Sequence, residues 1–181
     1  VEYRSNYVLT DVDVATKTAK FHVQDDVKAD VLNVIPPQGA SAIARSAGVV
    51  TANDRWCDVD FLTFESVKVK NVHVLGDAIQ IAAGMPKSGH MANQHAKVCA
   101  AAVVAMLAGE QPDPAPVLNT TCSSSISDTP VVHVCSVHQY DRDKKTLLPV
   151  QGAGGLSPAM SEVEGRYALN WAKNIWADAL A

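Results

Sequence analysis

Val72-His73-Val74-Leu75-Gly76-Asp77-Ala78 is a short apolar run closed by Gly-Asp. Its continuous, β-branched character predicts a parallel strand buried on both faces. Gly76 at the end of such a strand lets a ligand approach the backbone, and Asp77 offers a carboxylate at the C-terminal edge of the sheet, where ligands of open α/β sheets sit. The same residues also read as an ordinary strand-to-loop turn with Asp77 as a cap. Met85-Pro86-Lys87-Ser88-Gly89 comes next and leads into a predicted helix from about Gly89 to Ala108, with Ser88 as cap and Gly109 as stop. That helix is small and apolar on nearly every face, which predicts close packing on a sheet. Its N-terminus, with unpaired N–H groups and a positive dipole end, suits an electron-rich ligand edge; it reads equally as a plain capped helix.

Working outward, residues 1–46 alternate like strands at Tyr7-Val8-Leu9, Lys20-Phe21-His22-Val23 and Val31-Leu32-Asn33-Val34-Ile35. The last run, stopped by Pro36-Pro37, is expected as a second doubly buried strand. Three prolines between Gln111 and Pro116 mark a boundary. Beyond it, Val131 to Val137 reads as a strand, Gln151 to Gly155 as a loop, and Pro158 to Ala181 as a terminal helix with Ser157 at the N-cap and Pro158 at N1. Met160, Val163, Tyr167, Trp171 and Ile175 fall on one stripe of that helix and are expected to pack in the core. The fold class is therefore mixed α/β to α+β, and no internal repeat is visible.

Composition excludes several functions. A formal net charge of −4 with no Lys/Arg run argues against nucleic acid. The most apolar run, Val98 to Ala108, is too short to span a membrane. The chain opens on Val1-Glu2-Tyr3-Arg4 with no signal peptide, which reads as a processed product or fragment. Cys57, Cys99, Cys122 and Cys135 show neither zinc spacing nor a disulfide framework. Cys99 is expected as a small buried hydrophobe, and Cys57 and Cys135 as structural. Cys122 lies among Thr120, Thr121, Ser123, Ser124 and Ser125, which reads as a polar loop holding a reactive or an inert thiol. His90 and His95 are five apart, so no metal site is expected on that helix.

Taken together, several runs resemble the C-terminal half of the flavoprotein subunit of flavocytochrome c sulfide dehydrogenase. They are Lys28 to Val31 leading to Ile35-Pro36-Pro37-Gln38, Trp56-Cys57 with Val59-Asp60, Thr63-Phe64-Glu65-Ser66, Val72 to Ala78, Met85 to Gly89, and Lys97 to Gly109. Leu118-Asn119-Thr120 with Cys122, and Asn170-Trp171 through Asn174-Ile175, complete the match. The resemblance implies the C-terminal part of a two-dinucleotide-domain, glutathione-reductase-like FAD flavoprotein with its interface domain. Residues 1–46 would end the second nucleotide-type domain, 47–112 would be the last segment of the FAD-binding domain, and 113–181 the interface domain.

The resemblance also implies FAD as cofactor. Gly76 and Asp77 would meet the flavin ribitol, Lys87, Ser88 and Gly89 the pyrimidine edge, and Trp171 the ring. Cys122 would be the second cysteine of a redox-active pair, with one departure: Thr121 intervenes where the family pattern runs straight to cysteine. Sulfide is the implied substrate. A c-type cytochrome subunit and the N-terminal half of the same flavoprotein are the implied partners, and the periplasm the implied compartment. Sulfide:quinone oxidoreductase shares the architecture but usually ends in a membrane-docking apolar helix pair, which is not visible here. A non-catalytic module that docks a redox partner is the other alternative. The Gly-x-Gly-x-x-Gly fingerprint for the pyrophosphate of FAD does not occur between Val1 and Ala181, so the site is expected to be incomplete and the chain alone inactive.

Overall fold

In the computed structural model, residues 2–125 and 127–180 are described; Ala181, included in the expected terminal helix, lies outside them. The chain divides into two compact units, one up to Gln38 and one from Gly39 onward.

The first unit is an antiparallel meander of β1 (Leu9–Asp13), β2 (Thr18–Phe21) and β3 (Val27–Lys28). Tyr7 packs edge-on against Phe21, with ring centroids 4.9 Å apart. Val31 to Ile35 is not the buried strand expected of it. It pairs with no strand, and Val31 and Ile35 are 86% and 83% exposed. A doubly buried strand needs neighbours on both sides and layers on both faces, and a three-stranded meander of short strands provides neither.

The second unit holds a helix α1 (Ala42–Ser46), a 3-10 turn at Gly76–Ala78, and the long helix α2 (Gly89–Leu107). After these come β4 (Val117–Ser125), β5 (Val131–Asp141), β6 (Thr146–Pro149), β7 (Gly155–Leu156) and the helix α3 (Glu162–Leu180). The strands run in the order β4-β5-β6, with β7 also on β5, and every ladder is antiparallel. The fold is thus mixed α/β with antiparallel sheets.

Val72 to Leu75 is a second correction. Instead of a parallel strand it is an extended stretch folded back on residues 64–66: Ser66 N–H donates to Val72 O and Val74 N–H to Phe64 O. One antiparallel bridge, Glu65 with His73, is all the ladder it makes. With no parallel partner beside it, the apolar run packs as a loop over the core.

The helix α2 begins and ends where its caps predict. Ser88 Oγ accepts the Met91 N–H at 3.1 Å, and the helix stops before Gly109. It does not bury every face. Met91, His95, Cys99 and Ala102 form the buried stripe, while Val104 and Leu107 are exposed. That stripe joins Phe64, Ile79 and Met85 with Leu118, Tyr140 and Leu147 from the strands in one core. Residues on both sides of the proline-rich boundary therefore share one interior. Cys57 and Cys99 are buried, as expected.

The helix α3 starts at Glu162, four residues after Pro158. Ser161, not Ser157, occupies the capping place: its Oγ accepts the Glu164 N–H at 3.2 Å. The expected core stripe is also turned outward, with Met160, Val163, Tyr167 and Trp171 exposed and only Ile175 half-buried. The face toward the sheet carries Glu164, Gly165, Ala168 and Ala172. The reason is spacing. A Cβ at Gly165 would collide with the Thr129 carbonyl oxygen, so the helix lies too close for bulky side chains at that point.

Two histidines sit in the core. His95 is 1% exposed and His138 0%. His95 Nδ1 accepts the Gly76 N–H at 3.2 Å, and Ser136 Oγ bonds His138 Nε2 at 3.0 Å. The other ring nitrogen of each is buried without a partner among the described residues. Burial, reinforced by Lys87 and His138, pushes the His95 pKa down to about 4. Burial lowers that of His138 as well.

Gly165→Ala forces Thr129 or α3 to move and is expected to destabilise the chain by about 2 kcal/mol, read as a shift of the urea midpoint. For His95 the sign follows from the neutral ring. Between the ordinary value of 6.5 and about 4, the unfolded chain binds a proton that the folded ring refuses. Stability therefore falls as pH drops through that window, by roughly 3 kcal/mol in all from this residue. Urea unfolding at pH 7 and pH 4 measures it, and His95→Asn, which keeps an acceptor for Gly76, is expected to flatten the acid limb.

Candidate functional site

The site is laid out by the β4–β5 ladder. Nine residue pairs run without interruption from Val117 opposite Gln139 to Ser125 opposite Val131. Side chains alternate between the two faces of a strand, and residues directly opposite share a face. Leu118, Thr120 and Cys122 therefore share one face with His138, Ser136 and Val134. Thr121 and Ser123 share the other with Cys135 and His133. The stretch around Cys122 is thus a strand and not a loop. Because the ladder has no bulge there, Thr121 and Cys122 fall on opposite faces. Cys122 and Cys135 stand on opposite faces, and both are free and half-buried.

The face of Cys122 is the one α2 covers. Ser88 Oγ and Thr120 Oγ1 are 2.9 Å apart, which pins the start of α2 over β4, two residues from Cys122. Gly89 is exposed, and a Cβ built there meets nothing within 4 Å, so the space at the first turn of the helix is open. One turn further along, the Asn93 side-chain oxygen is buried without a partner among the described residues.

Gly76 and Asp77 lie in the 3-10 turn before α2. Gly76 is buried with φ +68°, and a Cβ there would stand 3.2 Å from the Ala92 Cβ. Its small size lets the turn close on α2. Asp77 is exposed. Lys87 reaches back to this turn: its Nζ donates to Asp77 O at 2.5 Å and Ile79 O at 2.8 Å, and lies 3.6 Å from the Trp56 ring centroid. Burial lowers its pKa. The ammonium is engaged on three sides, as a clamp on the Gly76–Ala78 turn. Lys87 and Asp77 are thereby brought together through the main chain.

Trp171 approaches the same helix end from the opposite face of the sheet, on α3. Its ring lies 5.3 Å from the His90 ring, and His90 Nδ1 accepts the outward Thr121 N–H at 3.0 Å. His90 thus caps an open donor of edge strand β4 and carries Trp171. Below Trp171 is a pocket of about 290 Å³, lined also by Thr121, Ser123, His133, Glu164 and Tyr167. Within it His133 Nδ1 is 2.9 Å from Glu164 Oε2 and 2.9 Å from Ser157 Oγ, which donates to Glu164 at 2.6 Å. The Ser157 hydroxyl, with His133, holds the Glu164 carboxyl below its usual range.

Ser88, Gly89, Cys122 and Trp171 thus lie about the N-terminus of α2 at the edge of β4, whereas Gly76, Asp77 and Lys87 are gathered at the 3-10 turn that precedes it. Ser88, Gly89 and Cys122 lie to one side, and Thr121 and Trp171 to the other. His90, His133, Ser157 and Glu164 were not among the expected site residues. Only Ser161-Glu162-Val163-Glu164, a capping-box pattern, carried a local signal that α3 starts late and turns Glu164 toward the sheet.

The family comparison falls on this region. The model for "flavocytochrome c sulphide dehydrogenase, flavin-binding" matches residues 114–180, which span β4 to the end of α3. These residues contain both Cys122 and Trp171. The match covers 67 of the 181 residues; it supports a C-terminal part of that flavoprotein, with FAD as the cofactor.

Proposed function

We propose that this chain is the C-terminal part of an FAD-dependent dehydrogenase that oxidises sulfide and passes the electrons to a c-type cytochrome in the periplasm. The whole protein would be of the two-dinucleotide-domain type, with an N-terminal half as partner. The single observation that carries this reading is the family match over the residues that bear Cys122 and Trp171.

The residues present fit the flavin end of FAD. The space beside Gly89 at the first turn of α2 is open, and a helix's first turn carries N–H donors outside its own ladder, which suits the electron-rich pyrimidine edge. Asp77 offers an exposed carboxylate to a ribitol hydroxyl. Ser88 serves mainly to hold the helix end over β4, and Lys87 to hold the turn that carries Asp77. When bound, FAD supplies a two-electron acceptor that can release electrons singly. Cys122 would meet it from the α2 face and Trp171 from the α3 face. The pyrophosphate and adenosine find no Gly-x-Gly-x-x-Gly in this sequence, so a second segment has to hold them.

FAD titration by calorimetry is expected to show no micromolar binding to this chain alone, and binding once the N-terminal half is supplied. Sulfide is then expected to bleach the flavin band of the reconstituted protein. Micromolar binding to the lone chain would contradict the divided site, and an unbleached flavin would contradict sulfide as substrate.

A further inference from the structure

The pocket under Trp171 is more than a gap between α3 and the sheet. Its floor is an imidazole held at one nitrogen only. Glu164 presents an acceptor at 2.9 Å from His133 Nδ1, and Ser157 Oγ, itself donating to that carboxylate, stands 2.9 Å from the same nitrogen. An ionised carboxylate can only accept, so Nδ1 carries the proton and the neutral ring keeps its lone pair on Nε2. Nε2 makes no hydrogen bond within the described residues, and the His133 side chain is one-third exposed in the pocket wall. A carboxylate behind an imidazole fixes the orientation and tautomer of the ring, leaving Nε2 aimed into the pocket as an acceptor.

The geometry points to His133 as a general base for a small ligand carrying an acidic S–H, namely hydrogen sulfide or a terminal hydropolysulfide. This assignment rests on the reading of sulfide as substrate. The pocket matches that chemistry beyond the base. Tyr167 and Trp171 offer aromatic walls, which favour a soft, polarisable sulfur. Thr121 and Ser123 offer hydroxyl donors to the anion that forms. The step is a proton transfer alone. The S–H bond breaks, its electron pair stays on sulfur, and an N–H bond forms at Nε2. The imidazolium so made faces the Glu164 carboxylate. Glu164 and Ser157 are positioning residues, since they act through His133.

The test is NMR mapping on the full chain under anaerobic conditions, titrated separately with sodium hydrosulfide, sodium tetrasulfide and sodium chloride. The expected result is that hydrosulfide or tetrasulfide shifts the His133 ring together with Tyr167 and Trp171, that His22 and His73 stay unmoved, and that chloride has no effect. A shift with tetrasulfide alone assigns the pocket to the chain-extended species. Glu164→Gln, which preserves the size of the side chain, is expected to abolish the response. No shift at His133 with either sulfur species, or an equal response at all histidines, overturns the proposal. In the FAD-reconstituted protein, His133→Gln is expected to slow sulfide-dependent flavin reduction on the order of a hundredfold. An unchanged rate would overturn the role of His133 while leaving the sulfide reading intact. Shifts at His133 in a protein whose flavin sulfide cannot reduce would support the pocket and count against that reading.

Discussion

The register of β4 on β5 is the constraint from which the rest of the second unit follows. Nine successive pairs leave no freedom in which face a residue occupies, because a slip of one position exchanges the two faces. One face is sealed by α2 and buries Leu118 and Thr120 beside His138 and Tyr140. The other carries α3 and the pocket around His133. Both helices are placed by contacts to this hairpin: α2 through Ser88 on Thr120 and His90 on the Thr121 N–H, α3 through Glu164 on His133 and the close approach of Gly165 to Thr129 in the β4–β5 connection.

The edge of β4 is where the two layers meet. An edge strand exposes unpaired N–H groups, and here one of them, at Thr121, is satisfied by His90 from the first turn of α2. The same imidazole carries the Trp171 ring, so the open helix end and the aromatic wall are coupled through one side chain. That coupling explains how residues far apart in sequence surround a single helix N-terminus. Burial holds His90 toward its neutral form, in which Nδ1 can accept the strand's donor.

Local chemistry made some of this legible and tertiary context hid the rest. Ser88 and Gly109 marked α2 correctly because capping depends on neighbours in sequence alone. Val131 to Val137 announced β5 by its β-branched residues. The polar run Thr120 to Ser125 concealed β4, since a strand of Thr, Cys and Ser is held by its partner's ladder and not by its own hydrophobicity. Val72 to Leu75 and Val31 to Ile35 misled in the opposite sense, being apolar and β-branched without a partner to pair with. On α3 the apolar stripe was real but faced outward, because Gly165 and Ala168 bring the other side of the helix against the sheet. As for the candidate site, Ser88, Gly89, Cys122 and Trp171 were singled out by the resemblance, whereas His133 with Glu164 depends on a contact across 31 residues that no spacing rule reveals.

The uninterrupted register turns Cys122 to the side of α2 and leaves Thr121 below Trp171 on the other face. The outward N–H of Thr121 makes Thr121 and Cys135 a non-hydrogen-bonded pair, whose Cα atoms approach to about 4.5 Å with their Hα atoms face to face. An Hα–Hα nuclear Overhauser measurement on the full chain reads this directly. The account predicts a strong cross-peak between Thr121 and Cys135, accompanied by those of Asn119 with Val137 and Ser123 with His133. A strong Hα–Hα cross-peak between Cys122 and Cys135 instead would put a bulge before Cys122 and its side chain on the face of α3, and would contradict it.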